Sequence, residues 1–500
     1  MTARRHRLSR RAVLGSLAAA LLAASGTAPA RARGPGAPVG PHFTPAHRYR
    51  PLDLLPTAFV QHDTGARTTA PAHQLAPAGP AAPFATVVVD IAALAPGATV
   101  TCGLQNTAGD RALRVRHHAH TPAGGTLSIE VTTPAATTTT ARATVRLQAP
   151  CRLAFTVTGR TVTAFAAPGT PGMPWRPLLT DQGAAAALLD PRRPDLLNTL
   201  RYAHRGTGAA IRRVRAGHFG QLGLRDLHLV RTAEGEPYTR EGRVFLTAGC
   251  AGAGFSQQAH TGVFAMDPAH PGRLEAVAKL FFTREGLLFG DHGGQIVYDG
   301  ARERFIVVTV GGDLPAPGVR PYHLSTRADL LRGVHVLRDR PLDVPFTRSA
   351  WDPALIRDRG RWLWAYVDVT DHEKLTFGPV LAAAAPGGDY ADALTRLPAQ
   401  AGPPQTEGCR WQHLDGRPHL LVSDRARAAY PLLDRHLRPR GTLDAPYPSG
   451  TPFPQVFPVP GTAHDWLLVT FDESPYEQRV LPYGTHGEVV TMRARGGFRP

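Results

Sequence analysis

The 500-residue chain is short of several things at once. Of its 56 Lys and Arg side chains only Lys279 and Lys374 are lysines. The basic excess over 39 acids gives a formal charge of +17, but seven of the arginines and no acid lie in residues 1–33, so the rest carries about +10. No dense basic block occurs beyond that leader and no nucleic-acid motif is present. A solvated basic surface is therefore expected, with no nucleic-acid partner. Cysteines number four, at 102, 151, 250 and 409, without a C-x-x-C pair, which leaves no support for a zinc ribbon or a thioredoxin-like centre. The H-E-x-x-H zinc helix, the G-x-S-x-G nucleophile elbow and a phosphate-cradling glycine loop are all missing, so neither a zinc protease, nor a Ser-His-Asp hydrolase, nor a nucleotide cofactor is indicated. Beyond the N-terminal stretch no apolar run reaches the ~18 residues of a membrane span. Gly (51) and Pro (47) are plentiful but follow no G-X-Y period, which excludes collagen and suits turns between short strands.

What is there begins with Ser9-Arg10-Arg11, an apolar stretch from Ala12 to Ala24, and small residues at Ala28-Pro29-Ala30 and Ala30-Arg31-Ala32. A basic start, a short apolar segment and an A-x-A site make a secretory signal, and the paired arginines resemble the twin-arginine export signal, with Val13 where Phe is usual. Residues 1–32 are expected to be removed, giving a secreted protein with no membrane contact after cleavage. Outside the cell disulfides are permitted, and Cys102 with Cys151 or Cys250 with Cys409 stand beside four buried thiols as alternatives.

Residues 33–82 read as an extended lead-in. Over 83–180, Thr86–Ile91, Leu113–Arg116, Thr126–Val131, Arg142–Leu147, Leu153–Thr158 and Thr161–Phe165 are apolar or alternate in character. The last two flank Gly159-Arg160, a two-residue hairpin turn. A jelly-roll-like β-sandwich, similar in pattern to concanavalin-like domains, is expected. Residues 181–213 read as a helical connector, with helix over Ala184–Leu189 and Asp195–Ala203. His117, His118 and His120 cluster at a strand end without an evident third ligand, so a solvated loop is preferred to a metal site.

From 214 to 500 a pattern recurs: an acidic start, a short apolar strand, a turn, and an aromatic-aliphatic strand. Its starts are Asp226, Asp291, Asp352, Glu407 and the non-acidic Phe453, separated by 65, 61, 55 and 46 residues. Five units of about 57 residues fit five four-stranded blades, so an all-β fold is predicted, a sandwich followed by a five-bladed β-propeller. In a propeller the innermost strands point at one axis, which would make neighbours of residues far apart in the chain. Carboxylates across a cleft are the machinery of glycoside hydrolysis, one protonated and one ionised.

Arg225-Asp226, Trp351-Asp352-Pro353 and Glu407-Gly408, with the acids 126 and 55 residues apart, resemble the motifs of the five-bladed-propeller glycoside hydrolases, the arabinanase, arabinofuranosidase and β-xylosidase group. Leu227 and Cys409 stand where that group commonly has proline. The resemblance implies Asp226 as general base, Asp352 as pKa tuner, Glu407 as general acid, and single-step inversion on a poly- or oligosaccharide containing pentose. A retaining mechanism of the levansucrase type, and a propeller that binds carbohydrate without hydrolysing it, remain alternatives. Candidate sugar contacts are His228, Gln258, His260, Asp291, His292, Trp351 and Trp411. No cofactor is implied, save a calcium ion in the propeller channel, as in some members of the group, for which His413 or His486 is the candidate ligand.

Overall fold

The computed structural model describes residues 37–65, 73–312, 318–374, 376–399, 402–414, 416–462, 464–476 and 487–498. Its C-terminal part is a ring of five antiparallel sheets. Blade I comprises Leu224–Leu229, Arg243–Cys250, His260–Met266 and Glu275–Arg284. Blade II comprises His292–Asp299, Arg304–Gly311, Arg320–Thr326 and Arg340–Pro341. Blade III comprises Ser349–Asp358, Arg361–Asp371, Thr376–Ala383 and Thr395–Arg396. Blade IV comprises Thr406–Leu414, Arg417–Asp424, Pro431–Leu433 and Pro439–Leu443. Blade V comprises Gln455–Pro458, Asp465–Asp472 and Glu488–Arg495, with Thr44–Tyr49 as its outer strand. Each inner strand packs on the next, and that of blade V returns to blade I.

Local chemistry explains the hairpins. The turns Glu241-Gly242 and Arg359-Gly360 have positive φ at both residues (54° and 73°, 49° and 77°), the mirror-image geometry that matches strand twist and wants glycine second. The strands alternate or are wholly apolar because blades stack face to face. Trp362, Trp364 and Tyr366 on one strand are buried between blades II and III, with Val297, Ile306 and Val308 opposite.

Bonds between a side chain and the neighbouring blade's backbone also stitch every junction of the ring. Thr247 Oγ1 donates to Gly294 O between blades I and II. Gln295 Oε1 accepts from Leu355 N (2.9 Å) between II and III, and Asp352 Oδ2 from Gly408 N (2.8 Å) between III and IV. Gln412 Oε1 accepts from Val456 N (3.3 Å) between IV and V, and Gln455 Oε1 from Leu229 N (3.0 Å) between V and I. Each satisfies a backbone group that the blade's own ladder leaves over.

Ahead of the ring, two long strands, Phe84–Asn106 and Leu200–His218, pair along their lengths with several register slips. Phe84 to Ile91 continues into Cys151–Thr158, Thr161–Pro168 and Arg176–Asp181, while Thr99 to Gln105 continues into Ala112–Thr121, Gly124–Thr132 and Thr137–Val145. The two meanders fold over one apolar core containing Val87, Val100, Leu127, Phe155 and Tyr202. Cys102 and Cys151 are buried in this core as free thiols, and Cys250 and Cys409 are free and buried in the propeller.

Two boundaries differ from the sequence reading. The connector is helical only at Ala184–Leu188 and Pro194–Leu197. The helix expected through Ala203 gives way at Leu200 to a strand that runs to His218, because pairing with Phe84–Asn106 supplies partners that outweigh a weak local propensity. The lead-in is more than a spacer. Pro38–Val39 joins the edge of blade IV, and Thr44–Tyr49 closes blade V. Phe84, Val88, Ala154 and Phe165 of the first domain meet Phe219, Leu222, Ala253 and Phe281 in one apolar cluster, so the domains share a packed interface.

Candidate functional site

The inner strands of blades I to IV each carry a β-bulge at the same place, between Arg225 and His228, His292 and Gln295, Trp351 and Ala354, and Glu407 and Arg410. The second residue of each bulge is left-handed: Asp226 (φ 51°), Gly293 (φ 60°), Asp352 (φ 51°) and Gly408 (φ 75°). Such bulges re-aim side chains, and here they do so at one end of the ring. A non-glycine residue in this conformation costs stability, and aspartate tolerates it better than most. The register also corrects one reading. Asp291 is not the blade II equivalent of Asp226; Gly293 is, and Asp291 lies two residues earlier.

Asp226 and Asp352 are buried, and Glu407 lies deep among protein atoms with part of its surface open. Asp352 Oδ2 accepts the N–H of Gly408, which locks it against the backbone that carries Glu407. Burial, reinforced by the charges of Asp352, Glu473 and Asp226, pushes the Glu407 carboxyl up to about 8, against a lowering bond from Thr451. Burial raises Asp352 to about 6, with Arg410 opposing and Asp226 adding to the shift. The ladder is the one expected where carboxylates crowd in low dielectric: one stays protonated so that its neighbours can ionise.

Arg410 is the cation of the cluster. Its Nε donates to Leu227 O (3.2 Å), its Nη1 to Cys409 O (2.6 Å), and its guanidinium lies 4.6 Å from the Phe453 ring centre. Burial pulls it down to about 10, still fully charged at neutral pH. Arg225 pairs with Glu473 at 3.0 Å. Deeper in the channel Arg231 donates to Gly235 O (2.8 Å) and Gln412 Oε1 (2.5 Å). Arg410 and Glu473 were not among the residues singled out from sequence, and Arg225 entered only within the Arg225-Asp226 motif. Neither Arg410, one arginine among many, nor Glu473, just past the second strand of blade V, had a sequence signal.

The remaining candidates divide. His292 meets Asp226 above Gly249, where an added Cβ would lie 3.6 Å from Asp226 Oδ2 and 3.7 Å from His292 Cβ. Burial holds this imidazole below its ordinary value although Asp226 and Asp291 pull the other way. Asp291 is held by Arg284 in a two-bond pair (2.5 and 2.7 Å), and Arg284 also binds Asp339 at 2.7 Å. Gln258 turns its Oε1 back onto Phe255 N (2.7 Å). His292, Asp291 and Gln258 line a narrow cleft of about 50 Å³, roofed by the Gly159-Arg160 hairpin of the first domain. Trp351 is half-buried against Phe377 at the bulge position equivalent to Glu407.

Three candidates are not brought to the opening. Trp411 is packed between blades III and IV with Leu381 and Leu433, so it is core rather than a sugar platform. His260 faces the domain interface, 3.0 Å from Lys279 Nζ and against Phe84 and Phe281. His228 is buried, and desolvation together with Arg410 and Arg231 keeps it neutral, well below the ordinary imidazole range. All three sit on strands whose every residue is buried or nearly so, which a one-dimensional pattern does not reveal. His413 Nδ1 is engaged by Glu236 at 2.9 Å, and His486 lies outside the described residues. Among the described residues no group of three or more His, Cys, Asp or Glu converges as a metal site.

These features define the chain as a five-bladed propeller with a buried carboxylate trio at its axis. No family model and no curated protein matches the sequence. Solved structures similar to it include the GH43_1 enzyme from Xanthomonas citri complexed with xylose, at 14% identity over 53% of this chain and 87% of that one, TM-score 0.36. The α-L-arabinofuranosidase from Lactobacillus brevis has 11% identity over 54% and 91%, TM-score 0.38. The Penicillium chrysogenum α-L-arabinanase complexed with arabinobiose has 12% identity over 82% and 98%, TM-score 0.34.

Proposed function

We propose that this chain is a glycoside hydrolase acting on a pentose-containing poly- or oligosaccharide, exported through a twin-arginine signal. The observation that carries the reading is the convergence of Asp226, Asp352 and Glu407 from equivalent bulges on three blades, with Asp352 tied to the Gly408 N–H. Glu407 holds a proton at neutral pH and keeps part of its surface open, as a general acid must. It donates that proton to the glycosidic oxygen as the bond to the anomeric carbon breaks. Asp226 takes a proton from the water that attacks the opposite face, so configuration inverts and both carboxyls return to their starting forms after proton exchange with solvent. Asp352 positions and tunes the acid by raising it, and Arg410 limits the rise of Asp352 itself.

The test is hydrolysis of arabinan, xylan and aryl pentosides by the purified protein and by Glu407→Gln. Loss of about 100-fold or more on the polysaccharides, equivalent to about 2.7 kcal/mol of barrier, is expected. A smaller loss is expected on aryl pentosides whose leaving group needs no proton. Proton NMR of the first-formed anomer reads the stereochemistry. Equal activity in both proteins would sink the assignment of the acid. Glycan binding without release on any substrate would make the propeller a binding module.

A further inference from the structure

The first domain has one layer against the propeller and one turned away. The layer that packs on blade I contributes Phe84, Val88, Ala154 and Phe165 to the interface. In the other layer Val100, Cys102, Leu104, Leu113, Val115, Leu127 and Ile129 point into the core, so the alternate residues form its outer face. Cross-strand register sets Arg205 beside Thr101, Thr101 beside Arg116, Arg116 beside Ser128, and Ser128 beside Arg142. Three guanidiniums thus recur on every second strand, about 10 Å apart, along a line that crosses the sheet. Arg205, Arg116 and Arg142 are all exposed.

The next row holds Arg114 beside Glu130. Glu130 is 6% exposed, accepts from Arg114 Nε (3.0 Å) and Ser128 Oγ (3.1 Å), and lies 3.5 Å from Arg116 Nη1. The face is concave here. A groove of about 480 Å³ runs over Thr101, Gln105, Arg114, Arg116, Glu130 and Arg205, large enough for several sugar residues.

We infer that this groove is a second binding site, for a linear anionic polysaccharide bearing carboxylates, lying across the strands. Arg205 and Arg116, which line the groove, supply planar forks for carboxylates, and Arg142 continues the row two strands on. Thr101, Gln105 and the buried Glu130 supply hydroxyl, amide and carboxylate partners for sugar hydroxyls. Among the described residues no Phe, Tyr or Trp lines the groove, which leaves out the stacking platforms that neutral glycans and unpaired bases rely on. Glu130 on the floor accepts from hydroxyls, which a uronate ring presents at every residue and a DNA backbone does not. The site is independent of the propeller's chemistry and stands whether or not the trio is catalytic. Its role is to hold the enzyme on an acidic polymer while the propeller works.

The experiment is affinity electrophoresis and calorimetry of the full mature protein with polygalacturonate, neutral arabinan and a DNA duplex as probes, beside the Arg116→Ser/Arg205→Ser double variant. Both arginines are exposed, and unchanged thermal melting of the variant shows that it folds. Polygalacturonate is expected to bind more tightly than arabinan, to lose affinity as salt rises, and to bind the variant at least about tenfold more weakly. Hydrolysis of a small aryl glycoside, where present, is expected to be equal in both proteins. Equal affinity of variant and parent, equal binding of arabinan, or tighter binding of the duplex would each overturn the inference. The binding readouts involve no turnover, so an inactive propeller and an empty groove are told apart.

Discussion

A carboxyl group that must give up a proton at neutral pH has to be kept from ionising until the substrate arrives. At Glu407, the acid of the proposed mechanism, low dielectric and the carboxylates of Asp352, Glu473 and Asp226 would do this. The sign of the consequence is fixed. The acid is competent below its pKa of about 8, and kcat/KM on a polysaccharide is expected to fall as pH rises through that value. Asp352→Asn removes a neighbouring negative charge that raises Glu407, so the alkaline limb is expected to move to lower pH with a reduced maximum. A pH–rate profile of both proteins checks this, and an unmoved limb would detach Glu407 from the rate. Asp226, Asp352 and Glu407 were legible in the chain as acidic starts at blade-scale intervals. The role of Arg410 was not, since a lone arginine in an arginine-rich sequence carries no signal until its guanidinium is seen between Leu227 O and Cys409 O.

At the scale of single elements, the bulge is the device that matters. Gly408 has φ 75°, and an added Cβ there would fall 2.2 Å from the Phe453 ring. Gly408→Ala is therefore expected to cost about 2–4 kcal/mol, from left-handed strain and overpacking together, and to displace the backbone that binds Asp352. Gly360→Ala is the control. Its φ of 77° is similar, but nothing lies within 4 Å of the added Cβ, so about 1 kcal/mol is expected. Denaturant melts of the two variants separate packing from strain, and equal losses would contradict the account. Strand alternation and Gly turns made the hairpins readable from sequence. The end of the connector helix was not readable, because the partner that claims Leu200–His218 as a strand lies about a hundred residues away.

For the whole molecule, closure of the ring depends on a segment from the other end of the chain. Thr44–Tyr49 completes blade V, and Phe43 beside it is fully buried among Leu414, Tyr430, Leu468 and Met492. Phe43→Ala is expected to cost about 3–5 kcal/mol, as much as Phe281→Ala at the domain interface, although only the latter touches the first domain. Calorimetric melting checks this, and a negligible loss at Phe43 would mean that the ring closes without its N-terminal strand. The amino-acid sequence by itself determined the all-β character, the five-unit repeat and the acids at its starts, because alternation and spacing are properties of a line. Only the tertiary structure decided which acids share one axis, that Trp411 and His260 are core, and that Asp291 belongs to Arg284. It also decided that the N-terminus seals blade V. Burial, charge proximity and strand pairing are set by contacts between residues tens to hundreds of positions apart, and no local window contains them.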